Sequence, residues 1–272
     1  MAIILTTKDQ YIRNQEIVSR RLMKAYAPKV YAALLSQVRD AVAVVKARGT
    51  RAAQGNVHGS ILNTEIGDVI TSLYTDAATW ALKKYKPNIK AFGINEDLIA
   101  QILAYFHRFL LEKVILPISN TTRDRIEEVL KDAVSEGWTV DQTVKELEDT
   151  DILRSRAMTI VRTEAVRAMN FSQLAAADTE DVEMDKQWIA IEDNRVRKSH
   201  SHAGVDGQRV AIDEPFSNGL MFPGDPEGSA KETINCRCTL GYFARRDNEG
   251  NLIPKTTPPL NILTRMQMNR AA

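Results

Sequence analysis

The chain has 272 residues, 44% of them hydrophobic and 26% charged, with a formal net charge of +1 at pH 7. That length supports one large domain or two small ones around a real core, and the balanced charge gives no global pull toward nucleic acid. The sequence holds no apolar run long enough for a transmembrane helix, and the apolar block at residues 1–5 is too short for a secretory signal, so folding in a cytoplasm with reduced thiols is expected.

Charge is unevenly placed. Residues 1–60 carry ten Lys/Arg against three acids, a local balance of +7, whereas residues 121–185 carry sixteen acids against eight bases, a balance of −8. A basic end and an acidic middle suit a protein that docks by polarity, and they equally suit two solvated helix faces.

The first two-thirds of the chain predict helix. Val18, Leu22, Tyr26, Val30, Leu34, Val38, Ala41 and Val45 step by three or four, which marks one buried helical stripe. Pro28 lacks a backbone donor, so a kink or a fresh start is expected near Ala27. Residues 49–60 are small, polar and glycine-bearing and predict a loop. A helix follows over 64–85, ended by Lys86-Pro87-Asn88. Asn95 is expected to cap an apolar helix over 96–116, stopped by Pro117. Thr121 with Asp124 predicts a new helix start, running to Ser135 and ending at Gly137. Thr139 with Gln142 is a capping box for a short helix to Glu148. Asp151 is then expected to cap a long helix through Ala177.

After residue 185 the texture changes to short alternating stretches and turn pairs such as Asp206-Gly207 and Asn218-Gly219. Ile234, Cys236, Cys238 and Leu240 alternate with polar neighbours and predict one face of a strand. Residues 248–272 contain three prolines and little pattern, and are expected to order only against a partner. The fold class expected is α+β: a mostly helical N-terminal part over 1–150, a small loop-rich β-containing module over 151–245, and a Pro-containing tail over 246–272.

Both cysteines of the chain, Cys236 and Cys238, and two of its four histidines, His200 and His202, fall in this module. Thiols and imidazoles are the ligands of structural zinc, but C-x-C and H-x-H are not the usual spacings, and on an extended strand the two Cα atoms stand roughly 6.6 Å apart. A metal-free packed strand is the other reading. A third is an enzyme, such as a metal-dependent nuclease or a Cys–His nucleophile system, using His200, His202, Cys236 and Cys238. No glycine-rich phosphate cradle and no H-E-x-x-H helix supports it, so no catalytic residue is assigned. In the helical stretch 160–170, Glu164 and Arg167 can pair at i,i+3 as a charged helix edge docking on the module. His58 and His107 have no companions and read as structural.

Taken together, R-T-E-A-x-R-A-x-N, W-I-x-x-x-D-x-R-V-R, D-G-Q, E-P-F, F-P-G-D and I-N-C-R-C over about 150–242 resemble the phage Mu F-like family of minor head (head morphogenesis) proteins. The residues that carry the likeness are Arg162, Thr163 and Glu164, then Trp188, Asp193, Arg195 and Arg197, then Asp206 and Gly207, and finally Asn235, Cys236, Arg237 and Cys238. The family places one histidine between the second arginine and the D-G turn. Here a two-residue insertion splits that position between His200 and His202, and the constrained turn after His202 favours the latter. The resemblance implies a virion component, inside the head or near the portal, assembled in the host cytoplasm. Its implied partners are the portal protein and the major capsid or scaffold protein, with packaged DNA as a further partner and no membrane. Arg13, Arg20, Arg21, Lys24, Lys29, Arg48 and Arg51 are the candidate contacts to portal or DNA.

Overall fold

The computed structural model describes residues 8–54, 64–85, 96–191 and 202–256. The fold is α+β: eight α-helices and one three-stranded antiparallel sheet among the described residues. The helices are α1 (Lys8–Arg48), α2 (Thr50–Ala53), α3 (Thr64–Tyr85), α4 (Glu96–Phe109), α5 (Leu116–Glu136), α6 (Val140–Leu147), α7 (Thr150–Asp178) and α8 (Ala230–Thr233). The strands are β1 (Met184–Ile189), β2 (Arg209–Ala211) and β3 (Thr239–Ala244), in the order β2-β1-β3.

Packing divides the chain into two compact units. One comprises Met1–Leu22, Leu73–Tyr105 and Arg162–Ala272, the other Met23–Ser72 and Phe106–Val161. The division runs through α1, α3, α4 and α7, each of which contributes a stretch to both. It is a partition by packing and is independent of the segments 1–150, 151–245 and 246–272 drawn from sequence.

In the second unit the core is helix on helix. Tyr26, Val30, Leu34, Val38 and Val45 of α1 are all buried, as the i,i+4 stripe requires. Of the kink or fresh start expected near Ala27, the fresh start does not occur, because α1 runs through Pro28. Pro28 and Lys24, whose carbonyl loses its helical partner, both lie on the exposed face. Water can satisfy that carbonyl, so the helix survives the proline. Residues 49–60 are not all loop either: Gly49, at φ 81°, turns the chain into the short α2, and 55–60, with His58, lie outside the described residues.

Pro117 does not stop a helix. After α4 the chain widens into a π-helical segment (Leu110–Ile115), closed by Leu116 N–H donating to Leu111 O at i−5 spacing. Pro117 then sits in the first turn of α5, where a missing donor is tolerated. Thr121 therefore lies inside α5, and its hydroxyl donates back to Pro117 O at 2.8 Å. Gly137 closes α5 in the left-handed region at φ 69°, as expected of a C-terminal glycine. The cap of α7 is Asp149 rather than Asp151: its carboxylate accepts from Asp151 N–H at 2.9 Å and Ile152 N–H at 3.2 Å. His107 is exposed on α4 rather than part of its apolar face.

In the first unit β1 is the central strand, with Lys186 opposite Val210 on one side and Tyr242 on the other. Residues 248–256 order against their own chain, contrary to the expectation of a partner-dependent tail. Glu183 N–H donates to Ile253 O at 2.9 Å and Lys255 N–H to Asp181 O at 2.9 Å, extending the sheet edge beyond β1. Residues 257–272 lie outside the described residues.

The capping box is present as read, with Gln142 N–H donating to Thr139 Oγ1 at 3.2 Å and Thr139 N–H to Gln142 Oε1 at 2.8 Å. Thr139→Ala should cost about 1 kcal/mol in denaturant unfolding, with Thr139→Ser close to the parent. Equal stability of the Ala and Ser variants would show that the cap contributes nothing.

Candidate functional site

The centre of the first unit is one polar face of α7. Thr163, Arg167 and Asn170 lie four and three residues apart, so they share a face, with Glu164 beside them. All four are buried. Glu164 and Arg167 do pair, Arg167 Nη1 donating to Glu164 Oε2 at 2.6 Å, and both are about 95% buried on the helix face that docks on the module. The Tyr74 hydroxyl from α3 donates to the same carboxylate oxygen. Burial, joined by the adjacent Glu164 charge, pushes the Tyr74 hydroxyl well above the ordinary tyrosine range, so it stays a donor. Burial alone would weaken the Arg167 charge, but Glu164 and Tyr74 more than offset it and hold the guanidinium above the ordinary arginine range.

This face holds the loops of the module by their backbone. Arg167 Nε donates to Gly224 O at 2.8 Å, and Asn170 Nδ2 donates to Pro223 O at 3.1 Å and Cys238 O at 3.0 Å. Gln15 of α1 donates to Cys238 O as well, at 2.7 Å. Asn235 N–H donates to Thr163 Oγ1 at 3.0 Å, and Arg162 Nη1 donates to Asn235 Oδ1 at 3.1 Å. The R-T-E-A-x-R-A-x-N helix motif and the F-P-G-D and N-C-R-C motifs are thus two sides of one contact. Gly224 must be glycine for two reasons: its φ is 86°, and a Cβ there would stand 3.0 Å from Arg167 Cα.

The remaining motifs stabilise the loops themselves. Asp225, fully buried, accepts from Met221 N–H at 3.0 Å and Glu227 N–H at 3.1 Å, fixing the 221–227 turn. Asp206 accepts from Ala190 N–H at 2.7 Å and from the Lys8 ammonium at 2.7 Å. Gly207, at φ 77°, donates its N–H to Trp188 O at 2.9 Å, so the D-G turn closes the end of the β1–β2 pair. Trp188 is buried on β1, edge-on to Phe216 with centroids 5.2 Å apart and to His202 at 5.8 Å.

His202, Cys236 and Cys238 come together. His202 Nδ1 lies 3.1 Å from Cys238 Sγ and 3.6 Å from Cys236 Sγ, and all three residues are buried. The cysteines do not stand on the predicted strand. Ile234 ends α8 and is exposed, Asn235 takes a left-handed φ of 57°, and β3 begins only at Thr239. The irregular 234–238 backbone lets both thiols face one imidazole. Hydrogen bonding from Cys236 and the neighbouring His202 bring the Cys238 thiol down to about 5, against the opposing effect of burial. Arg237 between them is half-buried. Asp193, Arg195, Arg197 and His200 lie outside the described residues.

Asn170 and Asp225 sit in the motifs given above, yet nothing in the sequence marks them as anchors. Tyr74 and Gln15 carry no local signal, since they reach the site from 90 and 223 residues away.

These features define a class: a small α+β module whose motif-bearing helix clamps glycine- and cysteine-bearing loops through a buried polar face. Residues 124–241 match the family model described as phage Mu protein F like protein, so this segment is similar to that family. The match begins within α5, upstream of the 150–242 span that the motifs cover. An uncharacterized protein of Bacillus subtilis (strain 168), YqbB, is 29% identical over 127 residues, which are 44% of this chain and 41% of that protein. The chain therefore spans about two fifths of that relative's length. No solved structure matches the chain.

Arg167→Met should destabilise by about 3–5 kcal/mol, because it leaves the Glu164 carboxylate buried without its partner. Adding Glu164→Gln should recover part of that loss, which a double-mutant cycle in urea would measure. Strict additivity would mean that the pair is not coupled.

Proposed function

We propose that this chain is a minor head protein of a phage or prophage, working by binding and assembly at the portal or the capsid interior. The observation that supports the reading most is the family match over residues 124–241. The site geometry agrees with it. The polar groups of the family-like motifs are used to hold loops to α7, which is the economy of a rigid docking module. No helix among the described residues is long and apolar enough to cross a membrane.

The proposed partners are the portal protein and the major capsid or scaffold protein, met in the host cytoplasm and retained in the virion. Arg13, Arg20, Arg21, Lys24, Lys29 and Arg48 are exposed on α1, and Arg51 on α2. Two of them have local company: Arg20 pairs with Glu16 at 3.2 Å, and the Lys29 ammonium lies 4.7 Å from the Tyr26 ring centroid. Exposed cations of this kind suit an acidic protein surface or packaged DNA.

A nuclease that uses His202, Cys236 and Cys238 would need DNA to reach groups that are 2–3% exposed. That burial favours assembly over turnover.

The test is co-expression of the tagged chain with the portal and capsid proteins of the same genome, followed by capture at low and high salt. Protein docking predicts that portal protein is retained as salt rises. DNA binding through the α1 cations would instead weaken steeply with salt, because it is driven by counterion release. Capture of DNA alone, lost at high salt and with no portal protein at any salt, would contradict the portal reading.

A further inference from the structure

We propose that His202, Cys236 and Cys238 form a structural zinc site. One ligand atom from each residue lies within 4.8 Å of the other two, and the three side chains are buried. Two thiols and an imidazole are a soft donor set, suited to zinc and poorly suited to calcium or magnesium.

The spacing fits the ion. Tetrahedral zinc, with Zn–N near 2.0 Å and Zn–S near 2.3 Å, sets nitrogen and sulfur about 3.5 Å apart. The Nδ1–Sγ separations here are 3.1 and 3.6 Å. Small outward movements of the thiols would admit the ion.

The second observation is the far side of the imidazole. His202 Nε2 faces acceptors, Glu232 O at 2.9 Å and Glu232 Oε2 at 3.7 Å, so it carries the hydrogen and leaves Nδ1 directed at the two sulfurs. Donation of the outer N–H to a carbonyl or carboxylate is how metal-bound histidines are oriented. The ligand backbone is fixed as well. Cys238 O is held by both Gln15 and Asn170, and Asn235 by Thr163 and Arg162.

Zinc here would tie the β1–β2 connection, through His202, to the segment entering β3. It would do so by a cross-link that a reducing compartment does not break. The near-complete burial of the ligands makes the site structural rather than catalytic. Three ligands come from this cluster, and zinc takes one more beyond them.

The test uses the full chain, purified under reducing conditions without chelator. Elemental analysis should find about one zinc per chain, falling to background in Cys238→Ser. Because loss of a buried thiol can by itself unfold that variant, the parent chain carries the second arm. Chelator should lower its melting temperature and open both thiols, which are not disulfide-bonded, to Ellman's reagent, and added zinc, but not magnesium, should restore both properties. A folded parent chain that contains no zinc, takes up none when it is added, and is unchanged by chelator would overturn the proposal. In that case the cluster is held by imidazole–thiol hydrogen bonds alone.

Discussion

The structure of the first unit depends on one constraint: a charge pair that lies inside the protein must have every group around it in place. Arg167 and Glu164 are paired at 2.6 Å with almost no solvent contact. In that setting an unmatched charge costs several kcal/mol, so the neighbours are not interchangeable. Tyr74 must supply the third group at the carboxylate, and Gly224 must bring its carbonyl to the guanidinium. Only a residue without a side chain can follow the backbone there, since a Cβ would meet Arg167 Cα at 3.0 Å. The pair thereby selects both the loop's sequence and its conformation.

The cysteine segment is placed by the same face of α7. Thr163 and Asn170 take hold of Asn235 and of Cys238 O, and the chain between is left too contorted to pair as a strand. The convergence of the thiols on His202 is a consequence of that anchoring. Helix, loop and sulfur cluster are therefore one cooperative arrangement, and substitutions at any of them should be felt at the others. This also accounts for how a module with so short a sheet holds its shape: β2 has only three residues, and much of the fixing is done by side chain–backbone bonds.

Much of the helical architecture was legible in the sequence. The stripe from Val18 to Val45 reports burial directly, the 64–85 helix was read with the bounds the structure shows, and the Thr139 capping box is a local device with a local signature. The misreadings share a cause, which is that their outcome depends on surroundings. Pro28 does not end α1, where the freed Lys24 carbonyl lies on the exposed face and water can satisfy it. Pro117 reads as a stop unless a π turn precedes it. Asp149 and Asp151 are equally good caps by composition, and only geometry chooses between them. Alternation over 234–240 resembles a strand, yet a turn and an irregular segment bury Cys236 and Cys238 and leave Ile234 exposed. Glu164 and Arg167 were legible as a charged helix edge docking on the module, but not their depth of burial or Tyr74, which comes from a distant part of the chain. The site was legible as a set of motifs, but its meaning as mutual anchors was not.

The central claim is that the polar face of α7 and the loops it holds form one folding unit. Native-state hydrogen exchange, resolved residue by residue, tests it most directly. The account predicts that the amides of Asp225, Asn235 and Trp188 open together with those of Val166–Met169, at one common free energy. Exchange of the loop amides at a much lower free energy, with α7 still protected, would contradict it.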